Sequence, residues 1–313
     1  MRVYDLEACP ACGTGSATPF SLGGDLHLNR CRGCGLVYAP RYADPDEVYV
    51  DGYLTGGVGP FGLDLRDPRW QEMLAFVGAR RLQLLERITG RPGRLLDVGC
   101  GSGEVLAVAS DRGWTVAGVE PVAESARIAR EEHGLDVRCA TLDNAGFPER
   151  SFDVVSALHV VEHLPAATPF LRDLTRWVRP GGQVFVEVPN WRSMQRRNAG
   201  GQWIGLRPLE HVSHFTPNTL GDAMRRAGLV EVRTMTPSYL WKEQSLEQAL
   251  GDLGLGRRIG AFRAAHVLHR AGSQFGSPAE MPSALGWLVL RAIGETYRAA
   301  RVGMVIDAVG TVA

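Results

Sequence analysis

Lysine is all but missing from this 313-residue chain: Lys242 is the only one, and the 34 basic residues, otherwise arginine, are matched by 34 acidic ones. A formal net charge of zero leaves no excess with which to grip phosphate backbones, so nucleic acid is not the expected partner. Long apolar runs are lacking as well. The longest near the C-terminus, "MPSALGWLVL", is about half of the roughly 20 residues a bilayer-spanning helix takes. The opening "MRVYDLEACP" has no apolar stretch of the kind a secretory leader carries, and a cytoplasmic protein is the expectation. Internal repeats and low-complexity tracts are absent. Six cysteines in a chain of this length suit metal or packing roles better than a disulfide scaffold. What is present is a 45% apolar composition, enough for a globular core.

Four cysteines fall in two pairs, Cys9-x2-Cys12 in "CPACG" and Cys31-x2-Cys34 in "CRGCG", with eighteen residues between the pairs. A glycine follows each second cysteine (Gly13, Gly35) and frees the backbone to turn around an ion. Four thiolates in two such turns suit tetrahedral Zn²⁺ with no position left for substrate. The expected zinc is structural, holding a piece too small to fold alone. Neither pair is flanked by a basic run, so structural use outweighs nucleic-acid binding.

From "PRWQEMLAFVGARRLQLLERITG", a helix by its periodicity, to about residue 236, β-rich runs alternate with helical ones. "RLLDVG", "TVAGVE", "LDVRCA", "FDVVSAL" and "GQVFVEV" read as strands, and "VAESARIAREEHG" as a helix between two of them. That alternation implies βαβ units and a parallel sheet, with ligands at the carboxyl ends of the strands. Residues 240–313 carry no strand signal and read as helices, such as "LGRRIGAFRAAHVLHRAG" and "SALGWLVLRAIGETYRAARVGMVIDAV". A helical cap is the plain reading, and contact with an anionic membrane surface through the arginine-bearing face is the sharper one. The division expected is 1–45 zinc ribbon, 46–68 linker, 69–238 sheet domain and 239–313 helical cap.

In "LLDVGCGSGE" a strand ends at Asp97 and Val98 and turns through Gly99, Gly101 and Gly103 into a helix. Glu104 stands where a dinucleotide fingerprint wants glycine, and no Gly-Lys-Ser/Thr follows, so a pyrophosphate is not the ligand. Asp97 beside the turn suits an amino group, and Glu120 at the end of the second strand can accept two ribose hydroxyls. Acid, glycine turn and second acid together suit S-adenosylmethionine.

At this point the chain, over residues 70–236, resembles a class I S-adenosylmethionine-dependent methyltransferase. "LLDVGCGSGE", "VAGVEP", "FPERSFDVVSALHVVEHL", "RWVRPGGQVFVEVPN" and "EHVSHFTPNTLGDAMRRAGL" follow one another in that family's order. The resemblance implies a doubly wound, seven-stranded Rossmann-like sheet. It implies that Gly99, Cys100 and Gly101 face the cofactor, that Glu120 and Pro121 flank its ribose, that Thr141, Leu142 and Asp143 reach its adenine, and that Leu158 and His159 lie beside it. Cys100 and Cys139 are then packing cysteines. The Cys-rich front resembles the zinc module of nucleotide-sugar and natural-product methyltransferases, in which a tyrosine-bearing stretch closes over the substrate. Tyr49 and Tyr53 in "VYVDGYLTGG" occupy the matching place, and Trp203 and Trp191 are candidates to stack on an acceptor ring. The gap between cysteine pairs is shorter here than in those sugar enzymes, and so is the C-terminal part.

"RPLEHVSHFT" carries Glu210, His211 and His214. Adjacent residues in an extended stretch point apart, which disfavours a shared metal. By the resemblance His211 is the base candidate, with Glu210 orienting it or taking the proton itself. His214 reads as structural, before a helix capped by Thr216 with Pro217 at its first position. A rival cluster, His159, Glu162 and His163 in "LHVVEHL", would share one face if helical. Ubiquinone-pathway O-methyltransferases hold a divalent cation with a similar cluster, though His159 stands where they tend to have an acid. His163 is the alternative base, and bracing of the loop is the plainer role for the pair Glu162–His163. The expected activity is methyl transfer to a small-molecule hydroxyl or carbon, of a sugar or a secondary metabolite. An RNA methyltransferase using the ribbon as a handle and a non-catalytic scaffold remain as rivals. Oligomeric state is not legible.

Overall fold

The computed structural model describes residues 1–22, 26–54, 68–238 and 295–313. Its centre is a seven-stranded sheet built from β6 (Arg94–Val98), β7 (Thr115–Val119), β8 (Val137–Arg138), β9 (Phe152–Leu158), β10 (Val178–Pro189), β12 (Val230–Met235) and β13 (Val305–Thr311). The order is β12-β13-β10-β9-β6-β7-β8. Neighbours from β10 to β8 are parallel, and β13 runs antiparallel to both β10 and β12. The expected α/β sheet is present.

The strands were legible as short apolar runs bounded by glycine turns and helical stretches, and their apolar residues are buried on both faces, as in Leu95 and Leu96 at 1% and 0% exposure. Burying each such side chain contributes about 1.5–3 kcal/mol. Helices α2 (Pro68–Thr89) and α3 (Glu104–Asp111) pack together on one face, and α5 (Ala167–Leu174) and α7 (Pro217–Arg226) on the other. Helix α4 (Ala123–Glu131) follows β7, and α6 (Met194–Ala199) follows β10. Helix α7 starts as expected: Thr216 Oγ1 accepts from Thr219 N–H and Thr219 Oγ1 from Thr216 N–H, with Pro217 at the first position.

One expectation is corrected. The stretch "VIDAVGT", assigned to a helix, is strand β13, which completes the sheet between β10 and β12. Its residues Val305–Val309 are all buried, so it shows no polar face to mark its period, and an apolar run of that kind does not distinguish helix from strand. Residues 295–299 are helical. Most of the expected cap, 239–294, with its arginine-bearing helix and Lys242, lies outside the described residues, as do 55–67 of the linker. Among the described residues no helix is long and apolar enough to cross a membrane.

The N-terminal part pairs β1 (Val3–Asp5) with β5 (Arg41–Ala43), before the single turn α1 (Pro45–Val48). Strands β2 (Ala17–Ser21), β3 (His27–Cys31) and β4 (Val37–Tyr38) form a second antiparallel sheet, whose fourth strand is β11 (Ser213–His214), from much later in the chain. Ala39 N–H donates to the Val212 carbonyl and Ala43 N–H to that of Leu209, both at 2.9 Å. The cysteine module therefore supplies the edge against which residues 209–214 are laid.

Candidate active site

The glycine turn holds its predicted place after β6, with positive φ at Gly99 (73°), Gly101 (57°) and Gly103 (87°). A Cβ on Gly99 would lie 2.6 Å from Val160 Cγ2, and one on Gly103 2.6 Å from Leu135 Cδ1, so both positions exclude a side chain on space as well as on φ. At Gly101 the only neighbour of a built Cβ among the described residues is Leu54 Cδ1, at 3.3 Å, which leaves bare backbone under the tyrosine-bearing stretch. Glu120 closes the other side: its carboxylate accepts the N–H of Gly101 and of Val122, each at 2.9 Å. One backbone donor per oxygen leaves lone pairs free for two hydroxyls. Asp97 is 2% exposed and accepts from Ser156 Oγ at 2.6 Å. Burial, against the pull of that hydrogen bond, pushes its carboxyl up to about 7. These residues fit an amino-acid-bearing nucleoside such as S-adenosylmethionine.

At the third strand tip, Leu142 is buried, while Asp143 is exposed and pairs with Arg176 at 3.1 Å. Pro121 is exposed at the rim, and its carbonyl accepts from Cys139 Sγ–H at 3.7 Å. Cys139 is exposed, so its assignment as a packing cysteine is corrected. Cys100 is buried, as expected.

The tyrosine-bearing stretch lies against this rim, with Gly52 N–H donating to Glu124 at 2.6 Å and Glu124 N–H to Asp51 at 2.9 Å. From it Tyr49 and Tyr53, edge to face at 5.0 Å between centroids, reach two distant segments. Tyr49 Oη is 2.5 Å from His163 Nδ1. Tyr53 Oη donates to Glu210 at 2.8 Å, and Arg207 bonds both Tyr53 and Glu210. His163 and His211 stand edge to face at 4.5 Å. The two sequence candidates, 48 positions apart, are thus neighbours, and with Glu162 they place one nitrogen or oxygen each within 4.8 Å of the others.

Their free atoms follow from their partners. His211 Nδ1–H donates to the Gly205 carbonyl at 2.8 Å, which leaves Nε2 with its lone pair. His163 Nδ1 is taken up by Tyr49 and the Glu210 carbonyl, 3.2 Å away, so Nε2 is again the nitrogen without a hydrogen bond among the described residues, with Glu162 Oε1 3.9 Å away. Burial holds His211 well below its ordinary pKa and also lowers His163, against the opposing charge of Glu162. Both rings are neutral near pH 7, the state a base needs. Glu210 does not orient His211, as the sequence reading allowed; at the end of the turn Pro208–Glu210 it is bound to Arg207 and Tyr53.

Trp203 is 5% exposed and packs with Trp191, Leu206 and apolar residues of the cysteine module, such as Leu28 and Val37. Its ring lies against Gly205, under the carbonyl that holds His211. Buried His214, packed 5.0 Å from Trp191, is lowered to about 3 by burial and is structural, as read. The conditional single helical face of "LHVVEHL" is not formed: Val161–His163 is one 3₁₀ turn and His159 has φ +56°. His159 lies between Glu162, 3.1 Å from its Nδ1, and Glu187, 3.0 Å from its Nε2. Sequence reasoning missed Arg81, Glu187 and Asp307, all buried around it. The available signal was a lone acid in each apolar strand, "VFVEV" and "VIDAV".

The four cysteine sulfurs lie within 4.8 Å of one another, with Cys9–Cys34 at 3.6 Å and Cys12–Cys31 at 3.4 Å. A tetrahedral zinc site has S···S edges of about 3.8 Å, from Zn–S bonds of about 2.3 Å, and Gly33 and Cys34 N–H point at Cys31 Sγ. This donor set could hold zinc.

Comparison with known proteins agrees with the geometry. The model of a family described as a methyltransferase domain matches residues 69–234. The chain is similar to the ubiquinone biosynthesis O-methyltransferase of Idiomarina loihiensis, 32% identical over 149 residues, covering 46% of this chain and 59% of that enzyme. With the enzyme of the same name from Pseudomonas entomophila it is 34% identical over 158 residues, covering 46% and 67%. The chain thus spans about three-fifths to two-thirds of these relatives. Among solved structures it resembles a methyltransferase of Thermotoga maritima described as a possible histamine N-methyltransferase (TM-score 0.48, 18% identity, 79% of this chain and 94% of that one). It also resembles an S-adenosylmethionine-dependent methyltransferase of Archaeoglobus fulgidus (TM-score 0.49, 17%, 76% and 94%).

Proposed function

Since the chain belongs to the methyltransferase-domain family and is a class I S-adenosylmethionine-dependent methyltransferase, we propose that it methylates a hydroxyl or an acidic carbon of a small molecule, a sugar or a secondary metabolite, with His211 as base and His163 beside it. The observation that carries this reading is the meeting of the two imidazoles at 4.5 Å under Tyr49 and Tyr53, next to the glycine turn.

S-adenosylmethionine, when bound, supplies a methyl group on a positively charged sulfur that departs as a neutral thioether. Gly99, Cys100 and Gly101 would offer it bare backbone, Glu120 would accept from its ribose, and Leu142 would cover its adenine. Asp97 supplies negative charge for its amino group, with Pro121, Thr141, Asp143, Leu158 and His159 at the rim. Tyr49 and Tyr53 hold the acceptor in line and exclude water. His211 Nε2 takes the acceptor's proton as the acceptor's electron pair turns to the methyl carbon, a contribution of about 10²–10⁴-fold. Zinc on Cys9, Cys12, Cys31 and Cys34 is structural in this account. It fixes strand β4, and through β4 the loop that presents His211.

The test uses methyl-labelled S-adenosylmethionine, the purified protein and an extract of its host, separated by size. Label in the small-molecule fraction is expected; label confined to an RNase-sensitive macromolecule would refute the reading.

A further inference from the structure

His159 is the residue whose conformation the proposed chemistry leaves unexplained. A φ of +56° is strained for any residue with a Cβ. The strain is held from one side by Glu187, which bonds His159 twice. The Glu187 carbonyl accepts the His159 backbone N–H at 2.8 Å, and its carboxylate lies 3.0 Å from Nε2. Glu187 is 0% exposed and is gripped by both Nε and a terminal nitrogen of Arg81, from α2. On the other side His159 Nδ1 lies 3.1 Å from Glu162 Oε1. A ring with a carboxylate at each nitrogen donates from both and is an imidazolium. The ring is 42% exposed, so partial desolvation works against that charge only in part, and the two carboxylates outweigh it, holding the ring at about 9.

Glu162 is the recipient. It is 1% exposed, its Oε1 is 3.9 Å from His163 Nε2, and its Oε2 is buried with no partner among the described residues. A buried carboxylate oxygen without a partner is costly unless something in the cycle uses it. The groups around His163 are Glu162, Arg207, His159, Tyr49 and His211, and those around His211 are His163, Arg207 and His214. Glu162 is the acid nearest the two rings. Glu210, the other acid here, is spent on Arg207 and Tyr53.

We propose that His159 is a positioning residue for the acceptor side, acting through Glu162: it turns Glu162 inward, so that the proton taken from the acceptor rests on an imidazole beside a buried carboxylate. The order of support is Arg81, Glu187, His159, Glu162, then the His163–His211 pair. The members come from helix α2, strand β10, the end of β9, the 3₁₀ turn that carries both Glu162 and His163, and the loop laid on the cysteine module. The proposal rests on the reading of those histidines as the base.

The experiment is a pH titration by NMR of the full-length protein with ¹³C,¹⁵N-labelled histidine, loaded with S-adenosylhomocysteine, His163 being assigned by loss of its signal in His163→Gln. In the wild type the His159 ring carries both N–H protons up to about pH 8. In Glu162→Gln, which keeps the shape and an acceptor oxygen for His159, the His163 midpoint falls by about one unit, roughly a tenfold loss of proton affinity. His159→Gln lowers it likewise, and Glu162→Asp restores most of it. A neutral His159 ring below pH 8 in the wild type, or an unmoved His163 midpoint in Glu162→Gln and His159→Gln proteins that still bind the nucleoside, overturns the proposal while leaving the base assignment standing. Ordinary turnover in both His211→Ala and His163→Ala overturns the base assignment and the proposal with it.

Discussion

The cofactor side and the acceptor side of this site are assembled differently. The glycine turn, Asp97 and the start of α3 come from the unbroken stretch 95–104, with Glu120 one strand away. Their partners are mostly backbone: Glu120 takes two N–H groups, and three glycines hold positive φ. The acceptor side collects Tyr49, Tyr53, His163, Arg207 and His211 from three separated segments, joined by side-chain bonds such as Tyr53–Glu210 and Tyr49–His163. A backbone-built half is fixed by the sheet alone. A half built from side chains on loops depends on whatever holds the loops, and here that includes the cysteine module, through Ala39–Val212, Ala43–Leu209 and the β4–β11 pairing.

This contrast can be broken from either side. The largest effect is expected from removing the metal set: a Cys12→Ser/Cys31→Ser protein loses measurable methyl transfer yet keeps an S-adenosylmethionine-induced rise in melting temperature. Loss of both together would mean the module supports the whole fold. Next comes Arg81→Met, which strands Glu187 in the core; the stability cost is about 3–5 kcal/mol in denaturant unfolding, and a cost under 1 kcal/mol would contradict the buried pair. On the cofactor side the effect is smaller and pH-dependent. The Asp97 carboxyl is raised to about 7 in the free protein, so pairing with an ammonium must release its proton. Nucleoside affinity in calorimetry then falls up to tenfold per unit as pH drops below 7, and Asp97→Asn flattens that slope. By the same linkage the free protein loses stability as pH climbs from the unfolded carboxyl's ordinary value to about 7. Smallest is Thr216→Ala, which removes the cap of α7 for about 1 kcal/mol, read as a lower melting temperature with turnover intact.

The halves differed equally in how far the sequence disclosed them. Residues 94–104 could be read directly because a strand, a glycine turn and a helix start each leave a local signature. His211 and His163 were legible as candidates, but not as a pair, since their meeting depends on the cysteine module carrying residues 209–214. Nor could the left-handed turn at His159 be foreseen: its cause is Glu187, on another strand. Strand β13 escaped because a run buried on both faces carries no period, and its partners lie far back in the chain.

The central claim is that binding the cofactor and activating the acceptor are separable. It is tested most directly in His211→Ala, by measuring S-adenosylmethionine affinity by calorimetry and methyl transfer to the labelled small-molecule fraction on the same protein. The account predicts an unchanged Kd and transfer slowed by about 10²–10⁴-fold. Transfer at the wild-type rate, or affinity lost in step with transfer, would contradict it.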